Sequence, residues 1–381
     1  MGNSWKGKAL VTLAILVALG GMAFYFFKHS PEQPANPPPD ILQRSKPASS
    51  QNFSSRSKPA TSTQESPTEA DDQLAQLLAL KLPREKIEEY LKLHNRDAAS
   101  LLAAFHASGD TNNPTGDVNY LKEAATNFPN DPHVQWTVLA HDAFPEDRRK
   151  WLDAFKTSSP SNSIANYLSA RDYFTSGQPD AAIKELLAAT DKSSFGGFAM
   201  ESFLNEDELY RASGKSPLEA SRAALSGMAS DVLPELANMK VVAQGIQSAQ
   251  KQYANAGDTA SVENLAQMGV GLANRFNSGD SGKLIISQLV GMAIENIALQ
   301  PLNQNTSYDF LGGETPAQKL AELKQQKLAF RELSQSFQSI NPTMTEAELL
   351  SYGERAKIYG EVAAMRWLQQ QHAANTSPGG Q

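Results

Sequence analysis

The chain has 381 residues, a net charge of −7 from 41 acidic and 34 basic side chains, and no cysteine. The missing cysteine excludes disulfides, thiolate metal sites and cysteine nucleophiles. A mildly acidic chain without a lysine- or arginine-rich cluster also argues against a nucleic-acid binder, which carries a basic excess.

Residues 1–8 are a short N-terminal segment with Lys6 and Lys8. Ala9 to Phe27 is then a run of 19 residues without a charge. At 1.5 Å per residue it spans about 28 Å, close to the roughly 30 Å hydrocarbon core of a bilayer. We therefore expect a transmembrane signal anchor over 9–28. A cleaved signal peptide and a buried helix are the competing readings. A signal peptide's apolar region is normally about 7–15 residues and ends at a small-x-small site. Here the run ends in Phe24, Tyr25, Phe26, Phe27 and Lys28, an aromatic end that suits an interfacial belt. Ala14, Ala18 and Gly21 share one face and offer a contact between two anchors in a homo-oligomer. The positive-inside rule leans toward a cytoplasmic N-terminus and an extracytoplasmic (periplasmic) body at an inner or plasma membrane.

Residues 29–69 form a linker rich in proline, serine, glutamine and threonine, with Pro37-Pro38-Pro39 in it. It has too few large apolar residues to offset the entropy of ordering, so disorder is expected.

From residue 70 onward the spacing is helical, and no alternating run of strand length occurs. The expected helices include a segment opened by Pro83 with Ile87, Tyr90 and Leu91 on one face. Next come Ala98 to Ala107, Tyr120 to Phe128, Val134 to Ala143 and Asp147 to Phe155. Asn162 to Thr190 then reads as a helical hairpin that turns at Gly177, with Pro179 opening its second helix. Past Phe276, residues 277–371 form a C-terminal helical region. It holds a buried helix over Leu284 to Leu299, a polar loop over Gln300 to Thr315, and a long helix over Pro316 to Ile340. A last helix over Ala347 to Gln371 follows a Thr345–Glu348 capping box. These end helices would cap the stack, because an end repeat must hide its apolar face. Residues 372–381 are expected to be a flexible tail.

A repeat runs through 70–276. Tyr173, Tyr210 and Tyr253 are each followed four residues later by Gly177, Gly214 and Gly257, at spacings of 37 and 43 residues. Small or β-branched residues follow at Ala182, Ala220 and Val262, then at Ala189, Gly227 and Gly269. The tyrosine fills the space within a hairpin, the glycine turns the chain, and the small residues permit close crossing. This pattern resembles the tetratricopeptide repeat family, which places an aromatic on the first helix, a glycine at the turn and alanines on the second helix. Tyr173, Gly177, Ala182 and Ala189 carry the likeness. Asn166, Ser169 and Ala170 stand where the family has its tryptophan-leucine-glycine start. A generic helical-hairpin solenoid is the alternative and has the same shape. The expected fold class is therefore all-α, a TPR-like helical-hairpin solenoid with C-terminal capping helices behind a membrane anchor and a linker.

The resemblance implies a concave groove lined by the first helix of each hairpin. Mapped onto this chain, that groove presents Tyr167, Arg171, Asn205, Glu208, Gln247 and Lys251 to a protein or peptide partner. The lysine and asparagine clamp that some family members use for C-terminal carboxylates is not reproduced. No H-E-x-x-H or G-x-S-x-G motif occurs, and NSGDSGK at 277–283 lacks the full phosphate-loop pattern. His133 and His141 stand too far apart on one helix to share a zinc ion. Glu201-Ser202 invites comparison with lytic transglycosylases, whose other motifs are missing. The expectation is a membrane-anchored, non-catalytic scaffold without metal, cofactor or nucleic acid. The alternatives are an envelope hydrolase with a site inside the superhelix and a structural oligomeric spacer.

Overall fold

The structure, a computed structural model, describes residues 82–109, 116–279, 281–340 and 343–376. The expected anchor at 9–28, the linker at 29–69, the start of the repeat region at 70–81 and the last residues of the tail lie outside the described residues. No described helix is long and apolar enough to cross a membrane.

The described chain is all-α. Its helices are α1 (Arg84–Leu93), α2 (Ala98–Ala107), α3 (Val118–Asn127), α4 (Pro132–Ala140) and α5 (Arg148–Ser158). There follow α6 (Ile164–Thr175), α7 (Pro179–Thr190), α8 (Ala199–Ala212), α9 (Pro217–Asn255) and α10 (Thr259–Phe276). The last four are α11 (Ile285–Leu299), α12 (Pro316–Ile340), α13 (Glu346–Tyr359) and α14 (Glu361–Thr376). Among the described residues there is no strand, only an isolated bridge between Asn162 and Ser194.

Local chemistry explains most of the boundaries. Asp97, Asp117, Asp131 and Asp258 each accept a first-turn amide at the start of α2, α3, α4 and α10. Ser216 with Glu219 and Thr345 with Glu348 form capping boxes at α9 and α13. Such caps satisfy amides that a helix start leaves without partners.

The three tyrosine–glycine pairs share one geometry. Gly177, Gly214 and Gly257 have φ of 73°, 88° and 77°, left-handed backbone that glycine adopts without a side-chain clash. The next amides, of Gln178, Lys215 and Asp258, reach back to the carbonyls of Tyr173, Tyr210 and Tyr253 at 2.8, 3.1 and 2.9 Å. The glycine amides bond Phe174, Arg211 and Ala254. Each pair is thus a Schellman cap with the tyrosine three positions inside the helix end. Three hairpins result: α6–α7, α8–α9 and α9–α10.

The middle of the chain departs from a train of separate hairpins. α9 is one helix of 39 residues, so the second helix of one hairpin is also the first helix of the next. Its buried residues include Ala220, Ala223, Ala224, Val232, Glu235, Leu236, Met239, Val242, Ala243, Ile246, Ala249 and Gln250. That three-and-four spacing keeps one face turned inward across a helix about 58 Å long. α9 packs against α8, α6, α10 and α11, and also against α2 and α4 from far earlier in the chain. In a one-dimensional repeat stack each unit meets only its neighbours; here one helix meets partners as far apart in the chain as α2 and α11.

Two large cores follow from this. One joins α1–α4 to Leu209 and Tyr210 of α8 and to the start of α9. The other gathers α4–α7, the rest of α9, α10 and α11 around Trp136, Phe155, Leu168 and Phe276. Smaller clusters lie at the two ends of α11. One sits under Leu302, Tyr308 and Leu311, and the other among α12, α13 and α14.

The expected single last helix is two helices. Gly360, at φ 88°, ends α13, and α14 then continues to Thr376, into the region read as tail. A lone glycine in a helical run costs only about 1 kcal/mol and is not by itself a break; here its left-handed backbone makes it one.

Candidate binding site at the ends of α9 and α11

The six residues expected to line one groove differ in exposure and surroundings. Tyr167 is 3 % exposed, in the central core, with its ring edge-on to Phe195 at 5.9 Å. Burial pushes its phenol up, and the Arg275 guanidinium beside it pulls it part of the way back. No face of Tyr167 is left for a partner. Arg171 is half-buried and pairs with Asp172 at 2.9 Å, which also holds Arg148 at 2.9 Å. Asn205 is half-buried on α8. Glu208 is exposed on α8 and lies 3.8 Å from His94 at the end of α1.

Gln247 and Lys251 are brought together one turn apart on α9. With Ala254, Asn255, Gln300 and Pro301 they line an open depression of about 320 Å³. The polar groups there are connected. Lys251 Nζ donates to Gln247 Oε1 at 3.4 Å, and Gln247 Nε2 donates to Gln300 Oε1 at 3.2 Å. Gln300 Nε2 in turn donates to Asn296 Oδ1 at 2.8 Å. Each carboxamide passes its donor toward α11, and the ammonium stands at the open end of the chain of bonds.

Charge at this place follows from the fold. α9 and α11 both end here, and helix C-termini carry partial negative charge that favours a nearby cation. Among the described residues no carboxylate pairs with Lys251, and the Asn255 carboxamide makes no hydrogen bond. The depression therefore offers one ammonium and one free carboxamide. It can accept an anionic or carbonyl-bearing group.

Of the described histidines, His94, His106, His133 and His141 lie in the N-terminal half and His372 lies on α14. The His106 and His141 ring centroids are 5.7 Å apart, and His133 stacks on Phe198 at 5.0 Å. Among the described residues no three histidine or acidic side chains are placed to hold a metal ion. One contact escaped the sequence: His133 Nε2 lies 3.0 Å from Ser202 Oγ. A hydroxyl beside an imidazole has the composition of a nucleophile and its base. Ser202 is 2 % exposed, however, and this pair works as a strut between α4 and α8. Its partners are 69 residues apart, a separation that no local pattern reveals.

No protein-family model, curated protein or solved structure matches the chain.

Proposed function

We propose that this chain is a non-catalytic helical scaffold, held at a membrane by residues 9–28, whose extracytoplasmic body binds an acidic segment of a protein partner. The observation that carries the binding part is the Lys251 ammonium at the mouth of the depression between α9 and α11, beside the Asn255 carboxamide. At about 320 Å³ the depression lies at the small end of ligand pockets, which run from about 300 to 1,000 Å³. That volume suits one or two side chains of a docked peptide. The tetratricopeptide likeness enters this reading through the three Tyr–Gly hairpin turns, while the continuous α9 departs from it. The anchor rests on the uncharged run from Ala9 to Phe27.

The test is site-specific photocrosslinking of the full chain in its native envelope. A photoreactive residue is placed at Ala254, in the depression, or at Leu187, exposed on α7. The reading expects a discrete heterologous adduct from position 254 that Lys251→Glu abolishes. An adduct indifferent to Lys251→Glu, or equally strong from position 187, would overturn it. Adducts only with a second copy of this chain would favour the structural spacer instead.

A further inference from the structure

A buried ionisable contact lies at the other end of α11 from that depression, where the last two helices meet it. Helix α11 begins after Leu284, which supplies no side-chain cap. The cap comes from elsewhere. Glu361, the first residue of α14, places Oε2 2.7 Å from the Ile285 backbone nitrogen and accepts its N–H. Glu361 is 4 % exposed, enclosed by the cluster of Leu333, Phe337, Tyr352 and Met365. The approach is close: a Cβ on Gly360 would stand 3.1 Å from the Lys283 backbone. The Glu361 carboxyl group thus fastens the α13–α14 pair to the start of α11.

We propose that α13 and α14 form a clasp on the start of α11 that tightens when Glu361 takes up a proton and loosens when it gives the proton up. The groups around the carboxylate support this. From α13, Tyr352 contributes a buried hydroxyl with no hydrogen-bond partner. From the segment before α11, Lys283 packs its backbone against Gly360. α11 contributes the Ile285 amide and apolar Leu289, and α12 contributes Leu333 and Phe337. At the other end of the pair, His372 Nε2 of α14 lies 3.2 Å from Glu348 of α13. That contact is an ion pair only while the imidazole is protonated.

The direction of the pH effect follows. Burial pushes the Glu361 carboxyl up to about 7, against the pull of the Ile285 N–H. In the released clasp the group returns to the ordinary carboxylate range. The seated state then binds the proton more tightly. Its advantage is complete below about pH 4.5, and it is lost as pH rises through about 7.

Hydrogen exchange of the full chain between pH 5.0 and 7.5 tests the proposal. Rates are corrected for intrinsic exchange, with the α6–α7 peptides as internal reference. The expected result is α14 opening that rises about tenfold or more, relative to the reference, from pH 5.0 to 7.5. Glu361→Gln keeps an acceptor for the Ile285 amide but cannot titrate, and should remove most of that dependence. His372→Asn, with Glu361 in place, should keep most of it. A wild-type α14 whose relative protection is flat across this range would overturn the proposal. So would Glu361→Gln with an undiminished pH dependence. Should Glu361→Gln leave α14 unprotected at both ends of the range, wild type against His372→Asn decides: loss of the dependence in His372→Asn would assign it to the imidazole and reject Glu361.

Discussion

Gly269 of α10 lies directly against Ala298 of α11: a Cβ added at 269 would stand 2.5 Å from the Ala298 Cβ. The two helices cross there with no room for a methyl group. Gly291 of α11 makes a second close approach, because its added Cβ would stand 2.9 Å from the Ala273 carbonyl oxygen. The crossing fixes the end of α11, and with it Gln300 and Pro301 in the depression.

Gly269→Ala should therefore destabilise the body although alanine is the better helix former. Alanine gains about 1 kcal/mol of helix propensity, while overpacking a fixed crossing costs about 1–3 kcal/mol. The net expectation is a loss of about 1 kcal/mol, seen as a lower midpoint in thermal or urea unfolding. Adding Ala298→Gly should recover part of it, since the clash is between those two positions.

Gly214→Ala tests the hairpin turns. A left-handed backbone costs an L-residue about 1–2 kcal/mol, and no neighbouring atom within 4 Å competes for the space of a Cβ at 214. The variant should lose about 1 kcal/mol, with Gly214→Asn losing less, because asparagine tolerates this conformation better. Equal stability of both variants and wild type in urea would remove the argument for the turn.

Arg275 closes the end of α7 from a distance. Its guanidinium donates to the carbonyls of Ala189, Thr190 and Lys192, more than 80 residues earlier. These carbonyls lie at a helix end that has no further intrahelical donors. Arg275→Ala should cost about 1–3 kcal/mol, as expected for hydrogen bonds to a charged group. The loss should appear as faster exchange of the amides after Thr190 before the rest of the body responds.

The N-terminal end should respond to acid in the opposite sense from the clasp. Arg96 holds Glu123 through two bonds of 2.5 and 2.6 Å and Glu88 through one of 2.7 Å. The hydrogen bonds from Arg96 keep the Glu123 carboxyl below the usual carboxylate range. A depressed carboxylate stabilises the fold above its unfolded pKa, and that contribution is lost as pH falls through the folded value. Exchange in α1 and α3 should therefore rise below about pH 4.5, and Arg96→Ala should flatten that response. A wild-type response matching that of Arg96→Ala would count against the bridge.

Much of the secondary structure was legible because its determinants are local. The Tyr–Gly pairs encode a cap that closes within six residues, and Thr345 with Glu348 encodes another within four. The long reach of α9 was harder to see. Pro234 interrupts the amide ladder and argues for a break, yet Val232, Leu236, Met239, Ala243 and Ile246 stay in phase across it. The site was legible only in part. Gln247 and Lys251 share a helix face at a spacing of four. Gln300 reaches them because α11 packs on α9, a contact about fifty residues away. The burial of Tyr167 escapes the local pattern for the same reason: Phe195, which packs on it, lies beyond the next helix and itself packs on Phe276 of α10.

The most direct test of the architecture is the length of α9. The chain has no native cysteine, so cysteines placed at Ala212 and Ala256, exposed just outside its two ends, give clean sites for spin labels. A continuous helix of 39 residues predicts one dominant distance of about 55 Å by double electron–electron resonance. A dominant distance below about 30 Å, as two shorter helices folded against each other would give at the same rise, would contradict the account.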